Sequence, residues 1–165
     1  LTAMNLVDIN IEHFDKLFEI VSNPLTMQWL GDGNTWSKEK LISLIDSTTL
    51  DHRQSKAQHK LFNWSIIKDG LPVGLIGIHP YNINTGKSFY VISLLHPSQV
   101  GKGYGISALN IAIKKFQKLR PDIKELYIDT LTNNIRAQKT LDDFKLIGII
   151  KIHNRYHLRY IRLFN

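Results

Sequence analysis

Three glycines at alternate positions, Gly101, Gly103 and Gly105, stand between a run of apolar and hydroxyl residues, Phe89–Leu95, and an amphipathic stretch. In that stretch Ile106, Leu109, Ile113 and Phe116 recur at helical spacing, so the segment reads as strand, glycine-rich turn, helix. Such an arrangement is a seat for phosphate. Residues without Cβ atoms let the backbone approach a bulky anion, and the first N–H groups of the helix point at it with the positive end of the helix dipole behind them. Lys102 in the turn, and Lys114 and Lys115 beyond it, add positive charge. A dinucleotide fingerprint would follow the first strand of a βαβ unit, with an acidic residue about 20 positions on. Here the turn lies past mid-chain and lacks that fingerprint's third glycine; a Walker loop would need Ser or Thr where Gly103 follows Lys102. Other groups suited to moving protons are Asp129, within a strand-like run, and His79 and His96, which end two others. Each also reads as an ordinary strand or surface residue. His153 and His157 flank a turn instead of sharing a helix face, so no metal site is expected.

The elements that must hold these residues follow from period and punctuation. Asn10 is placed to cap a helix with Ile11, Phe14, Leu17, Phe18 and Val21 as its inward stripe, stopped by Asn23-Pro24. Residues 31–34 form a loop beside Trp29, which is placed to line a cleft. Ser37 caps a second helix, with Glu39 in its first turn and Leu41, Leu44 and Ile45 facing inward. Residues 51–60, the most polar stretch, read as an exposed connection. From residue 61 the period shortens: 62–67 and 73–79 flank Asp69-Gly70, the signal of a tight hairpin turn, and 82–86 turn again before 89–95. Pro121 ends the helix after the glycine turn, and 126–131 is a strand reached by a helical crossover, able to pair in parallel. On it Asp129 shares a face with Tyr127 and Leu131, opposite Leu126, Ile128 and Thr130. Thr132 or Asn133 is placed to cap a helix running to about residue 145, and 146–153 with 156–164 close the chain as a hairpin across Asn154-Arg155. Helices, an antiparallel meander, strand, helix, strand, helix and hairpin make a mixed sheet with helices on its faces.

With 165 residues, 43% of them hydrophobic, the chain has enough apolar material for one ordinary core, and a single domain over 1–165 is expected. It has no cysteine, which excludes disulfides, thiolate nucleophiles and thiolate metal sites and suits a reducing, cytoplasmic setting. No apolar run approaches the roughly 20 residues of a membrane span. The net charge of +7 is spread along the chain, without the aromatic–basic pattern of a nucleic-acid surface. It reads as a solvated surface that also suits an anionic ligand.

The sequence resembles the GNAT superfamily of acyl-CoA-dependent N-acyltransferases. Gly101-Lys102-Gly103-Tyr104-Gly105 falls on that family's Arg/Gln-x-x-Gly-x-Gly/Ala loop, with Val100 in the place of Arg or Gln. Asn134-Ile135-Arg136-Ala137 resembles its Asn-x-x-Ala/Ser element. Leu95-His96-Pro97 and Trp36-Ser37-Lys38-Glu39 look most like the Rim-type branch of ribosomal-protein N-terminal acetyltransferases. The resemblance implies an α+β fold: a mostly antiparallel mixed sheet of about six or seven strands, splayed between the fourth and fifth, with helices on both faces. It implies acetyl-CoA as co-substrate, with its arm in the splay against the main chain of Leu94 and Leu95. The pyrophosphate would lie on Val100, Gly101, Lys102, Gly103, Tyr104, Gly105 and Ile106, with Asn134 and Lys139 completing the set. The acceptor would be a primary amine, on a peptide N-terminus or a small molecule, attacking the thioester directly with Asp129 or His96 as candidate catalytic groups. Leu141 stands where relatives carry a tyrosine general acid, Lys145-Leu146 where they have Gly-Phe, and Ser107 where the Rim-type branch often has Glu. A weakly catalytic CoA-binding module is therefore the alternative.

Overall fold

The computed structural model describes residues 4–165. In chain order the elements are β1 (Asn5–Asp8), α1 (Phe14–Val21), α2 (Pro24–Met27), α3 (Lys38–Asp51), β2 (Phe62–Lys68), β3 (Leu71–Pro80), β4 (Phe89–Leu95), α4 (Tyr104–Leu119), β5 (Glu125–Leu131), α5 (Ile135–Gln138), β6 (Lys145–Ile152) and β7 (Arg155–Leu163). The seven strands form one sheet in the order β1-β2-β3-β4-β5-β7-β6. Every neighbouring pair is antiparallel except β4 and β5, which the α4 crossover makes parallel. This is the α+β architecture expected, with a β1 strand that the sequence reading did not include. β1 has four residues and buries only Leu6, too little for alternation to register.

Each face of the sheet has its own core. On one face α4 packs Ala108, Leu109, Ala112, Ile113 and Phe116 onto strand residues that include Phe62, Phe89 and Leu126. On the other, Leu17, Ile20, Leu41 and Ile45 of α1 and α3 pack onto Leu75 and Leu94. Alternation along β3, β4 and β5 therefore assigns a face to every residue near the parallel pair.

Four local expectations are corrected. Asn10 does accept a hydrogen bond from the Glu12 N–H, but it caps a 3-10 turn, Ile11–His13, ahead of α1. The tighter pitch rotates Ile11 outward, where it is 60% exposed. Residues 51–60 are not simply exposed. The buried Asp51 carboxylate accepts from the Lys60 and Leu61 N–H groups, the His52 and His59 rings stack 4.6 Å apart, and Arg120 donates to the His59 carbonyl. The connection folds back because its backbone needs partners once covered. After β5 the cap is Asn134, not Thr132 or Asn133, and α5 is a single turn. It stops because Leu141 and Phe144 turn inward onto the α4 core. The last hairpin turns at His153-Asn154, both at left-handed φ, one residue earlier than expected. Asp69 and Gly70 make the β2–β3 turn as predicted, at φ 53° and 78°.

Candidate active site

At the C-terminal end of β4 a 3-10 turn, Pro97–Gln99, leads into Val100 and the glycine loop. Gly101 and Gly103 adopt φ of +85° and +81°, a backbone that other residues enter only with strain, and both face open space. Gly105 lies inside α4, where an added Cβ would make ordinary contact with Leu95. Gly103 is the N-cap of α4 and carries no side-chain cap, and the first helical bond there runs from Ser107 N–H to Gly103 C=O. Among the described residues no backbone acceptor or capping side chain serves the N–H groups of Gly101 to Ile106. A helix end normally finds partners for these donors in side chains, water or a ligand. Here they lie without an internal acceptor at the positive end of a helix of 16 residues.

Beside this corner the sheet parts. β4 and β5 pair only at Phe89↔Leu126 and Tyr90↔Tyr127; beyond those two rungs they no longer pair with each other, while β4 stays paired with β3 and β5 with β7. The His96 N–H donates to the Val73 carbonyl, so in this antiparallel ladder His96 and Leu94 turn their peptide groups toward β3. Leu95 and Ser93 turn theirs into the parting. Of the two residues expected to line it with main chain, Leu95 does so and Leu94 is committed to β3. The Leu95 carbonyl accepts from the Thr26 hydroxyl of α2 at 3.1 Å.

On the face covered by α1 and α3, Asp129 projects between aromatic rings. Its carboxylate is held by both Nε and Nη2 of Arg159, each at 2.9 Å, and accepts from the Tyr81 hydroxyl at 3.1 Å. The Arg159 guanidinium lies 5.1 Å from the Tyr81 ring centroid and 5.9 Å from that of Tyr127, close enough for a cation–π contribution. The Asp129 hydrogen bonds raise the Arg159 pKa further above its ordinary value. Burial, and after it the Asp129 charge, pushes the Tyr81 phenol up, so it remains a donor. Arg155, at the start of β7, donates to the carbonyls of Gln28 and Gly31, at 3.0 Å for Gly31, pinning the 28–34 loop across the parting. In that loop Asn34 donates backbone and side-chain hydrogens to Asp32, which holds its exposed carboxyl below the usual range.

His96 occupies a different cleft, of about 170 Å³, with Lys16, Glu19, Pro72 and Gln99. Its Nδ1 accepts from the Ser98 N–H at 3.2 Å, so a neutral ring carries its proton on Nε2. Asn134 uses Oδ1 to cap α5 through the Ala137 N–H at 3.3 Å, and Lys139 is the C-cap residue that follows that turn. Leu141 is 4% exposed, packed against α4. The structure thus brings the glycine loop, Leu95 and Asp129 around one parting and sets His96 apart. Arg155, Arg159, Tyr81 and Thr26 carry no local sequence signal. Arg155 meets Gly31 across 124 positions, and only its place beside a predicted turn hinted at exposure.

Residues 4–144 match the family model described as an acetyltransferase (GNAT) domain. No curated protein matches the sequence. Among solved structures, the chain is similar to RimL, a ribosomal-protein alpha-N-acetyltransferase, in complex with coenzyme A: 20% identity, 99% of this chain and 96% of that one, TM-score 0.79. It is also similar to the self-immunity acetyltransferase MccE with acetyl-CoA and AMP, at 18% identity, 97% and 92% coverage and TM-score 0.77. AAC(6')-Ib with ribostamycin and coenzyme A follows at 14% identity, 98% and 93% coverage and TM-score 0.75.

Proposed function

The chain belongs to the GNAT acetyltransferase family, and from that premise we propose that it transfers the acetyl group of acetyl-CoA to a primary amine, on a peptide N-terminus or a small molecule. The observation that carries this reading is the set of amide hydrogens from Gly101 to Ile106 that find no backbone acceptor or capping side chain among the described residues. They suit a diphosphate, whose charge the α4 dipole also favours. Val100 has no side-chain donor, which such a backbone-built seat tolerates. From there the parting of β4 and β5 accepts the amide-bearing arm of the thioester, and the Leu95 N–H faces the position of the thioester carbonyl, where it polarises the oxygen as negative charge develops.

The acceptor amine enters from the face covered by α1 and α3, between the 28–34 loop and β7. It must arrive neutral or lose a proton there. Of the two candidate groups, Asp129 lies on that face; three of about four lone-pair sites of a carboxylate are taken by Arg159 and Tyr81, leaving one for the amine or a bridging water. His96 offers an N–H instead, in its own cleft. RimL, named for a protein N-terminus, is the neighbour that favours a peptide acceptor. The paired Arg159 and the clipped Arg155 leave this side without an excess of carboxylates, which disfavours a polycationic acceptor.

The test is thermal unfolding with and without acetyl-CoA, followed by thiol release over peptides with free N-termini, aminoglycosides and small amines. Stabilisation by acetyl-CoA with release for a peptide is the expected result. Stabilisation with no release for any amine would leave a CoA-binding module, a reading that the apolar, buried Leu141 favours. No stabilisation would overturn both.

A further inference from the structure

Thr130 Oγ1 is the one buried side-chain oxygen or nitrogen without a hydrogen-bond partner among the described residues. Buried hydroxyls are nearly always satisfied, because a donor stripped of water with nothing in return destabilises the fold. Thr130 is 6% exposed and lies on β5 past the last rung shared with β4. Alternation with Leu126 and Ile128, both in the α4 core, puts its side chain on the α4 face. Across the parting, β4 shows the converse anomaly. Ser93 is exposed although it sits in the middle of a central strand, between the buried Ile92 and Leu94. Ser93 alternates with Phe89 and Val91, so it too lies on the α4 face. Counting on from Phe89↔Leu126 and Tyr90↔Tyr127 brings Ser93 level with Thr130. Two hydroxyl residues therefore flank one parting on the face of the glycine corner, one exposed and one buried without a partner.

We propose that Ser93 and Thr130 are positioning residues that hold the amide-bearing arm of an acyl thioester through their side chains. The inference rests on the function proposed above and adds these side chains to its main-chain contacts. A hydroxyl donates one hydrogen and accepts through two lone pairs, so the pair can serve both the C=O and the N–H of a secondary amide threaded between the strands. Valine or alanine at these positions would leave those amide groups unmatched, which makes the pair selective for thioesters carrying such an arm.

The experiment is calorimetric titration of the full chain, its Thr130→Val variant and its Ser93→Ala variant. The ligands are acetyl-CoA and 3′-phosphoadenosine 5′-diphosphate, which keeps the diphosphate but lacks the arm. Thr130→Val preserves shape and removes the unpartnered hydroxyl, so its melting temperature should stay equal or rise. Each variant should bind acetyl-CoA about 3- to 10-fold more weakly, the usual worth of one neutral hydrogen bond, with unchanged affinity for the diphosphate. Unaltered acetyl-CoA affinity in both variants would overturn the proposal. So would equal weakening toward both ligands, the signature of a general disturbance. If the unsubstituted chain bound neither ligand, the function reading would fall as well.

Discussion

The two sides of the β4–β5 parting are made in different ways. The glycine corner is a run of consecutive residues, Val100 to Ile106, whose working groups are backbone amides and whose shape comes from two left-handed glycines. The opposite side is assembled from Thr26, the 28–34 loop, Tyr81, Asp129, Arg155 and Arg159, brought together by side-chain bonds over as many as 127 positions. A backbone site tolerates most side-chain changes and fails at the positions that set its dihedrals. A side-chain site fails wherever one guanidinium is lost. The largest expected effect tests the first half of that contrast. Gly103→Glu should lower acetyl-CoA affinity by at least about 100-fold, because it sets a carboxylate among the phosphate donors. The left-handed φ should cost stability only about 1–2 kcal/mol. Calorimetry and a melting curve read the two separately. A folded variant that binds as before would mean that the corner is not the phosphate seat.

A smaller effect tests the second half. Arg155→Met removes the donors that hold the Gln28 and Gly31 carbonyls and frees the 28–34 loop. Hydrogen bonds from a charged group contribute about 1.5–3 kcal/mol each when well formed, and about half of that is expected at this partly exposed site. The acceptor KM should rise about 5- to 10-fold, following the loss of a positioned wall, while acetyl-CoA affinity stays unchanged. Steady-state kinetics with a reactive amine give the first and calorimetry the second. Equal losses in both would join the two sides into one unit and undo the comparison.

The same contrast explains what could be read in advance. Glycine spacing, the Asp69-Gly70 turn, the Ser37 cap and the apolar stripe of α4 from Leu109 onward are local patterns, and each appears in the structure where its residues predicted it; Ile106, expected to open that stripe, is 39% exposed because it sits in the first turn beside the glycine corner. The α5 turn was overextended because Thr132 and Asn133 are as able to cap as Asn134, and the inward turn of Leu141 and Phe144 depends on α4. Asp129 was legible as a mid-strand carboxylate, but its partner Arg159 lies on β7, which inserts between β5 and β6 out of chain order. Thr130 read as one more residue on the apolar face. Its lack of a partner emerges only when every neighbour is in place.

The smallest effect concerns pH. His79 lies on the side-chain side of the parting, paired with Tyr90 across β3 and β4. Its Nε2 is 2.6 Å from Asn63 Oδ1, while Asn63 Nδ2 donates to Thr48 Oγ1, so the neutral ring is the donor at the end of a buried polar chain. Gly77 leaves the room, since a Cβ there would meet both Asn63 Oδ1 and His79 Nε2 at under 3 Å. Burial pushes the His79 pKa down from 6.5 to about 4. Between those values the unfolded chain takes up a proton that the folded one refuses. Stability from this residue is therefore fully present above the unfolded value and declines as pH falls toward the folded one. Between pH 7 and pH 5 the loss should be about 2 kcal/mol. His79→Gln, which keeps a donor for Asn63, should flatten that slope relative to the unsubstituted chain in urea titrations at pH 7, 6 and 5. Val100 to Ile106 contains no carboxylate or imidazole, so His79→Gln should leave acetyl-CoA affinity of the folded protein unchanged at each of these pH values. An equally steep slope in both proteins would remove His79 as the cause.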